Sequence, residues 1–485
     1  MTKGPLLPIL ACTALGACTV GPNFKRPAMP GPAKYLPAAE QPSGAAAAGA
    51  SGSGTSPASG PSSRTPAGSF EQHIDLGGTP SAQWWTGFRS PALDALIRQA
   101  VADNHTLAAA RATLAQAREL VKAQAGARFP QVDYDGGAGR QKYGKEFLGS
   151  AFVLPPFSYL AVGASVSYTL DYAGGVTRSI EQQRALGQYE RSEADATYLA
   201  LTGSVVTQAM AAAAAQAEIA AISELIGEDH DNLKLVRTEY TDGAVSRVDV
   251  LTAESQLASD ETLLPAVRQR LVVAQHALAV LIGRVPAGWT APALALSDLE
   301  LPRNLPVSLP SELVHRRPDI LAAEAQLHAA TAAVGIATAD LYPRITLTAT
   351  GGFQAVPFQQ LFMGSNAAWT LIAGITGPVF HGGTLHAERR AAVDELRASA
   401  QRYQQVVLEA FGQVADLLDA LTHDSQLVAA QSNALSAAAS SVDLARESYR
   451  AGDSGLLEVL DAQRERLAAQ LGVVRAEAQQ YVDTA

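Results

Sequence analysis

Cysteine is nearly missing: only Cys12 and Cys18 occur in 485 residues, so beyond position 18 there is no internal disulfide, zinc knuckle or catalytic thiol. Basic charge is also short, 36 Lys and Arg against 46 Asp and Glu for a net −10, which disfavours a surface that holds a nucleic-acid backbone. No run of about twenty apolar residues is present, and on that reading a membrane-spanning helix is excluded. Proline is absent between Pro156 and Pro265 and again after Pro378, leaving two stretches of more than a hundred residues without the strongest helix breaker. Aromatics make up 6% of the chain. Alanine makes up roughly a fifth, a balance that suits long, closely packed helices better than a large α/β enzyme core.

The first eighteen residues carry Lys3, an apolar stretch from Leu6 to Leu15, and small residues Gly16 and Ala17 before Cys18. This reads as a signal peptide over 1–17, and Leu15-Gly16-Ala17-Cys18 resembles a bacterial lipobox. Cys18 is then the first mature residue, carrying covalent lipid that ties the chain to a membrane. Residues 18–80 form the lipidated segment and a tether; from Leu36 to Gly68 the composition is mostly Ala, Gly, Ser and Pro, too poor in apolar area to offset ordering entropy.

The remainder reads as two copies of one plan, 81–283 and 310–485, joined by a linker over 284–309. Phe129-Pro130 matches Tyr342-Pro343 at an offset of 213, Ala173-Gly174-Gly175 matches His381-Gly382-Gly383 at 208, and Tyr240, Gly243 and Leu251 match Tyr449, Gly452 and Leu460 at 209. Each copy runs helix, strand, loop, strand, very long helix, turn, helix. From Val162 to Tyr172 the even positions are apolar and the odd positions polar or small. Its partner runs from Gln131 toward Tyr143. Ile345, Leu347 and Ala349 alternate with Thr346, Thr348 and Thr350, and a fourth strand spans Trp369 to Phe380. Such strands fit a membrane barrel and equally a half-buried soluble sheet.

A helix from Val176 to Tyr240 has a length of roughly 98 Å at about 1.5 Å per residue, more than a compact domain holds. Steps of four and three from Tyr403 meet Val407, Ala410, Val414, Leu417, Leu421, Asp424, Val428, Gln431, Leu435, Ala438, Val442, Ala445 and Tyr449, a coiled-coil spacing. Four strands are fewer than the roughly eight of the smallest single-chain membrane barrel. If they lie in lipid, copies of the chain must close the barrel together, and the arithmetic allows two copies or three.

Three segments carry a family likeness: CTVGPNFKRP from Cys18 to Pro27, Gln83-Trp84-Trp85, and LVHRRPDILAAEAQL from Leu313 to Leu327. With them go Leu341-Tyr342-Pro343 and the Gly382-Gly383 turn. With these the chain resembles the lipidated, TolC-like outer-membrane factors of tripartite efflux pumps. The resemblance implies an α+β membrane protein of the outer membrane, a homotrimer whose β-barrel takes four strands per protomer and continues into a long α-helical coiled-coil tunnel in the periplasm. Helices over Pro91–Arg128 with Ser246–Gly283, and Pro310–Leu341 with Leu456 to the end, would pair beside the long ones. It implies a passive exit duct for drugs or other small molecules, with a periplasmic adaptor, an inner-membrane transporter and outer-membrane lipid as partners; for want of any acid, base or nucleophile constellation no enzyme is expected, and the acidic charge balance argues against nucleic acid as a partner. A type I protein secretion component shares this architecture, and a non-conducting envelope lipoprotein is a rival of another class.

The family's gate lies at the turns between helices. Matching positions are Tyr240, Arg247 and Asp249 in the first copy and Tyr449, Glu458 and Asp461 in the second, the last two foremost, because acidic side chains gathered by a threefold axis repel each other and bind cations. Relative to the first copy, the final helix stops at the position matching His276, so a shortened end is expected. No cofactor or metal is expected. His381 and His386 lack further ligands in sequence, Gly174-Gly175 and Gly382-Gly383 lack the Lys-Ser/Thr of a nucleotide loop, and Arg316 and Arg317 read as capping or pairing residues.

Overall fold

The computed structural model describes residues 19–27, 72–143 and 155–485. The signal segment, the lipidation position Cys18 and tether residues 28–71 lie outside the described residues. In chain order the elements are β1 (His73–Leu76), a 3-10 turn (Trp84–Phe88), α1 (Pro91–Asp103), α2 (His105–Gly126), β2 (Gln131–Gln141), β3 (Phe157–Leu170) and α3 (Gly175–Thr241). There follow α4 (Arg247–Glu261), α5 (Leu263–Leu281), β4 (Asn304–Val307), α6 (Pro310–Arg316), α7 (Pro318–Ala339), β5 (Arg344–Ala355), β6 (Ala367–Thr376), α8 (Thr384–Ala451) and α9 (Leu456–Thr484). Among the described residues the chain divides into two compact units, one of residues 19–27, 112–143, 155–193 and 319–406 and one of 72–111, 194–318 and 407–485, so each unit takes segments from both halves of the chain.

The first unit holds an antiparallel sheet in the order β2-β3-β5-β6. Its register keeps the alternation in phase across all four strands. Val132, Val166, Ala349 and Leu371 lie in one row, and Asp133, Ser165, Thr350 and Thr370 in the next, on the opposite face. The apolar face is bare: Trp369 is 80% exposed, with Tyr134, Leu371 and Ile375 similarly open. Exposed aromatics gather at both ends of the strands, Phe129, Tyr172, Tyr342 and Phe380 at one and Phe358 and Phe362 at the other. That is the patterning of a sheet solvated by lipid on one side and framed by interfacial aromatics, and it decides between the two environments the alternation left open. β2 and β6 are the two edges.

At the foot of this sheet Asp171 caps α3, accepting from Val176 N at 2.8 Å and Thr177 N at 2.7 Å. Gly174 turns the chain at φ 78°, and a Cβ there would come within 2.7 Å of Thr19 Cα. The segment after Cys18 is fastened here. Val20 N donates to Ala173 O, the buried Arg178 donates to Val20 O, Gly21 O and Asn23 Oδ1, Phe24 stacks on His328 at 4.3 Å, and Arg26 meets Glu324 at 2.8 Å.

In the second unit Trp85, Phe88, Leu93, Ile97, Val205, Val206, Met210, Leu278, Ile282, Leu296 and Tyr481 form one buried cluster. β1 pairs in parallel with β4, which places regular structure inside the stretch 18–80 read as tether and inside the linker 284–309. Tyr481 Oη donates to Leu299 O at 2.7 Å, so the last turn of α9 is packed.

Three of the helices expected to be continuous are broken. Asn104 interrupts Pro91–Arg128: its backbone is extended, its Oδ1 accepts from Leu107 N at 2.9 Å to start α2, and its Nδ2 donates to Leu281 O at 2.9 Å. Arg317 interrupts Pro310–Leu341 because the residue before Pro318 is driven to extended backbone. The third break, at Thr262 in Ser246–Gly283, precedes Pro265, whose ring would crowd the Glu261 carbonyl in an unbroken helix.

α3 and α8 run unbroken for 67 and 68 residues, about 100 Å each at about 1.5 Å per residue. The expected stripe on α8 holds at Tyr403, Val407, Ala410, Asp424 and Val442, all buried, but Leu417 is 46% exposed and Leu418 takes the buried place at 5%. An ordinary helix drifts off a strict 3.5-residue repeat, and the slip of one residue here is that drift being absorbed. Two helices, α3 and α7, each contain an 18-residue window long and apolar enough by composition to cross a bilayer, although polar residues such as Thr207 and Gln208 in α3 and Glu324 and Gln326 in α7 interrupt any unbroken apolar run. Within the structure 56% of each window is buried.

Candidate functional site

The sequence expectation points to the two turns α3–α4 and α8–α9, which lie in the same unit. Both are closed the same way. Gly243 N donates to Tyr240 O and Ala244 N to Glu239 O; at an offset of 209, Gly452 N donates to Tyr449 O and Asp453 N to Ser448 O. Gly243 and Gly452 have φ of 77° and 80°, left-handed conformations that end a helix at little cost only for glycine. The hairpins share a small apolar core of Leu233, Val236, Val250, Ala253, Leu257, Leu456 and Leu460, with Tyr449 packed on its edge.

Tyr449 Oη donates to Glu239 Oε2 at 2.6 Å. Burial, then this hydrogen bond and the charges of Glu239 and Asp249, push the Tyr449 hydroxyl up to about 12, so it remains a donor across the physiological range. Asp249 is the third residue of α4 and closes a capping box: its Oδ2 accepts from Ser246 N at 2.8 Å and Ser246 Oγ at 2.7 Å. Those bonds hold its carboxyl below the ordinary aspartate value. Tyr240 and Arg247 are exposed at the α3–α4 turn, and Glu458 and Asp461 are exposed on the first turns of α9. The structure thus joins Tyr449 to Glu239, with Asp249 near enough for its charge to act on the Tyr449 hydroxyl, and leaves Tyr240, Arg247, Glu458 and Asp461 as solvent-facing side chains of a single chain.

Several residues that fix the site escaped the sequence reading. Glu228 on α3 accepts from Gln463 at 2.9 Å and pairs with Arg446 and Arg466 at 2.9 Å each, joining α3, α8 and α9. Arg237 pairs with Glu254 at 2.7 Å across the first hairpin. Ser246-x-x-Asp249 was readable as a capping box; the partners of Glu228 sit more than two hundred residues away and carry no local signal. Among the described residues no three His, Cys, Asp or Glu side chains stand together as a metal site.

The model of the outer membrane efflux protein family matches residues 96–284 and 309–485. Pyoverdine export outer membrane protein OpmQ of Pseudomonas putida is 31% identical over 395 residues, spanning 81% of this chain and 83% of that protein. A toluene efflux pump outer membrane protein, TtgC of Pseudomonas putida, is 29% identical over 479 residues, spanning 98% and 92%. The solved outer-membrane channel OprN is 27% identical, with a TM-score of 0.80 over 88% of this chain and 96% of that one. Location in the outer membrane follows. The chain belongs to the outer membrane efflux protein family.

Proposed function

We propose that this chain is the passive exit duct of a tripartite efflux system, conducting small organic molecules out of the cell with energy supplied by partner proteins. The observation that carries the reading is the sheet with two open edges and a bare apolar face. Lipid offers no hydrogen bonds to β2 and β6, so those edges must be met by other strands. Three copies pairing β2 of one with β6 of the next would close a ring of about twelve strands, within the range of outer-membrane barrels. The duplicated helical hairpins would then line the conduit, with the turn residues Tyr240, Arg247, Asp249, Tyr449, Glu458 and Asp461 repeated around its axis at the constriction. An inner-membrane transporter and a periplasmic adaptor are the partners this arrangement calls for. Pyoverdine and toluene, named for its relatives, are both small organic molecules, and cargo of that class fits a passive conduit. Cys18 would carry the lipid.

Reconstitution into planar bilayers tests the reading. The assembled protein should conduct, Asp461→Asn or Glu458→Gln should raise conductance, and light scattering in detergent should give three chains. A folded, non-conducting single chain would end it. A deletion strain should become sensitive to toxic small molecules while its secreted proteins are unchanged.

A further inference from the structure

Three turns before the end of α3, two carboxylates meet away from water. Asp229 is 2% exposed and Asp260, on α4, is 3% exposed. Gln256 of α4 donates to Asp260 Oδ2 at 2.6 Å, and Arg464 of α9 lies 3.8 Å from Asp260 Oδ1. Asp229 Oδ2 has no hydrogen-bond partner among the described residues. The other charges around the pair are committed elsewhere: Glu228, beside Asp229 on α3, is held by Arg446 and Arg466, and Glu261, beside Asp260 on α4, lies 3.9 Å from His230. Two buried negative charges facing one partly exposed guanidinium are not balanced, and the arrangement is satisfied when the two carboxyl groups share a proton.

We propose that Asp229 and Asp260 form a proton-operated latch between α3 and α4, closed when a proton bridges the two carboxyls and loosened when it leaves. Burial, then the charge and hydrogen bond of Asp260, raise Asp229 to about 7, whereas in an opened hairpin it titrates as an ordinary aspartate. The sign follows. Opening releases a proton between the two values, so the latch weakens as pH rises toward 7 and changes no further above it. α4 begins with Arg247 and Asp249, so the latch sets how firmly those turn residues are held. That consequence for conduction rests on the duct reading; the latch itself does not.

The test is amide hydrogen exchange on the full-length assembled protein, corrected for intrinsic rates, over residues 247–261 between pH 5 and 8. Protection in the unaltered chain should fall about tenfold per pH unit up to pH 7 and then level. Asp229→Asn, neutral at every pH, should make that profile flat. An unchanged slope in this variant, or a flat profile in the unaltered protein, overturns the latch. Asp260→Asn keeps the test decisive if the first variant misfolds: without the second carboxyl to share the proton, the pH at which the profile levels should move down, and an unmoved profile overturns the latch. In planar bilayers, pH-dependent conductance abolished by Asp229→Asn supports the coupling to the turns, and pH-dependent conductance retained in the variant refutes it. Absence of any conductance counts against the duct and leaves the exchange profile to judge the latch.

Discussion

Single residues hold the helices of this chain together where alanine cannot. Glu218 follows a run of alanines on α3, is almost fully buried, and is gripped by Arg270 of α5 and by Arg475 of α9 at 3.3 Å. Although burial alone would raise its pKa, the two guanidiniums lower it below the ordinary glutamate value. Its contribution is therefore present above about pH 4.5 and is lost as pH falls through the lowered value. Replacing both arginines by alanine leaves a buried, unpaired carboxylate, and urea denaturation at pH 7 should show a loss of about 3 kcal/mol or more. Either single replacement should cost much less, because one guanidinium remains. None of this was legible in sequence: Glu218 reads as one polar residue in an alanine run, and its partners stand 52 and 257 positions away.

Among the elements, α8 shows where sequence periodicity is informative and where it stops. A stripe of apolar residues predicts a rod, and the rod is there; it cannot fix which of two adjacent leucines is inside, because a one-residue slip spreads over several turns at little cost. Leu418→Ala should destabilise the folded chain by about 2–3 kcal/mol, read by denaturant melting. Leu417→Ala should leave that melting nearly unchanged and, if its exposed side meets a neighbouring copy, lower the yield of assembled protein on size-exclusion chromatography. α8 is also joined to α9 by the carboxyls of Asp424 and Asp483. Burial, then the bond and charge of Asp483, raise Asp424 to about 6, so this contact weakens as pH rises from about 4 to 6. Asp424→Asn should stabilise the protein at pH 8 by on the order of 2 kcal/mol and have little effect near pH 4, a contrast that thermal melting at the two values will show. The helix breaks at Asn104 and Thr262 were hidden for a different reason. Asn104 acts through a carbonyl 177 positions away, and Pro265 displaces a break three residues before itself.

For the whole molecule, the fold was legible from three separate signals: the offset of 209 matched the two turns, alternation marked the strands, and the absence of proline marked the long helices. The proposed gate residues were legible only as positions, since the ring proposed for them would be made by several chains and has no geometry in one of them. With the lipid proposed on Cys18, membrane attachment would divide between that anchor and the sheet. Cys18→Ala should reduce the membrane-bound fraction in cell fractionation while assembled protein still forms, because the apolar face of the sheet holds the bilayer independently of an acyl chain. Complete loss of folded assembly in that variant would contradict the division.

The two unmated borders of the sheet also impose a hazard during biogenesis. In the proposed assembly, each newly exported subunit carries, until it meets its siblings, a template on which any stray strand can grow, so misassembly should rise steeply when chains arrive slowly or in excess. The same borders recognise a neighbour largely through backbone groups. In the proposed assembly, side-chain differences along β2 and β6 would be one means by which a cell making two related ducts keeps their subunits from mixing.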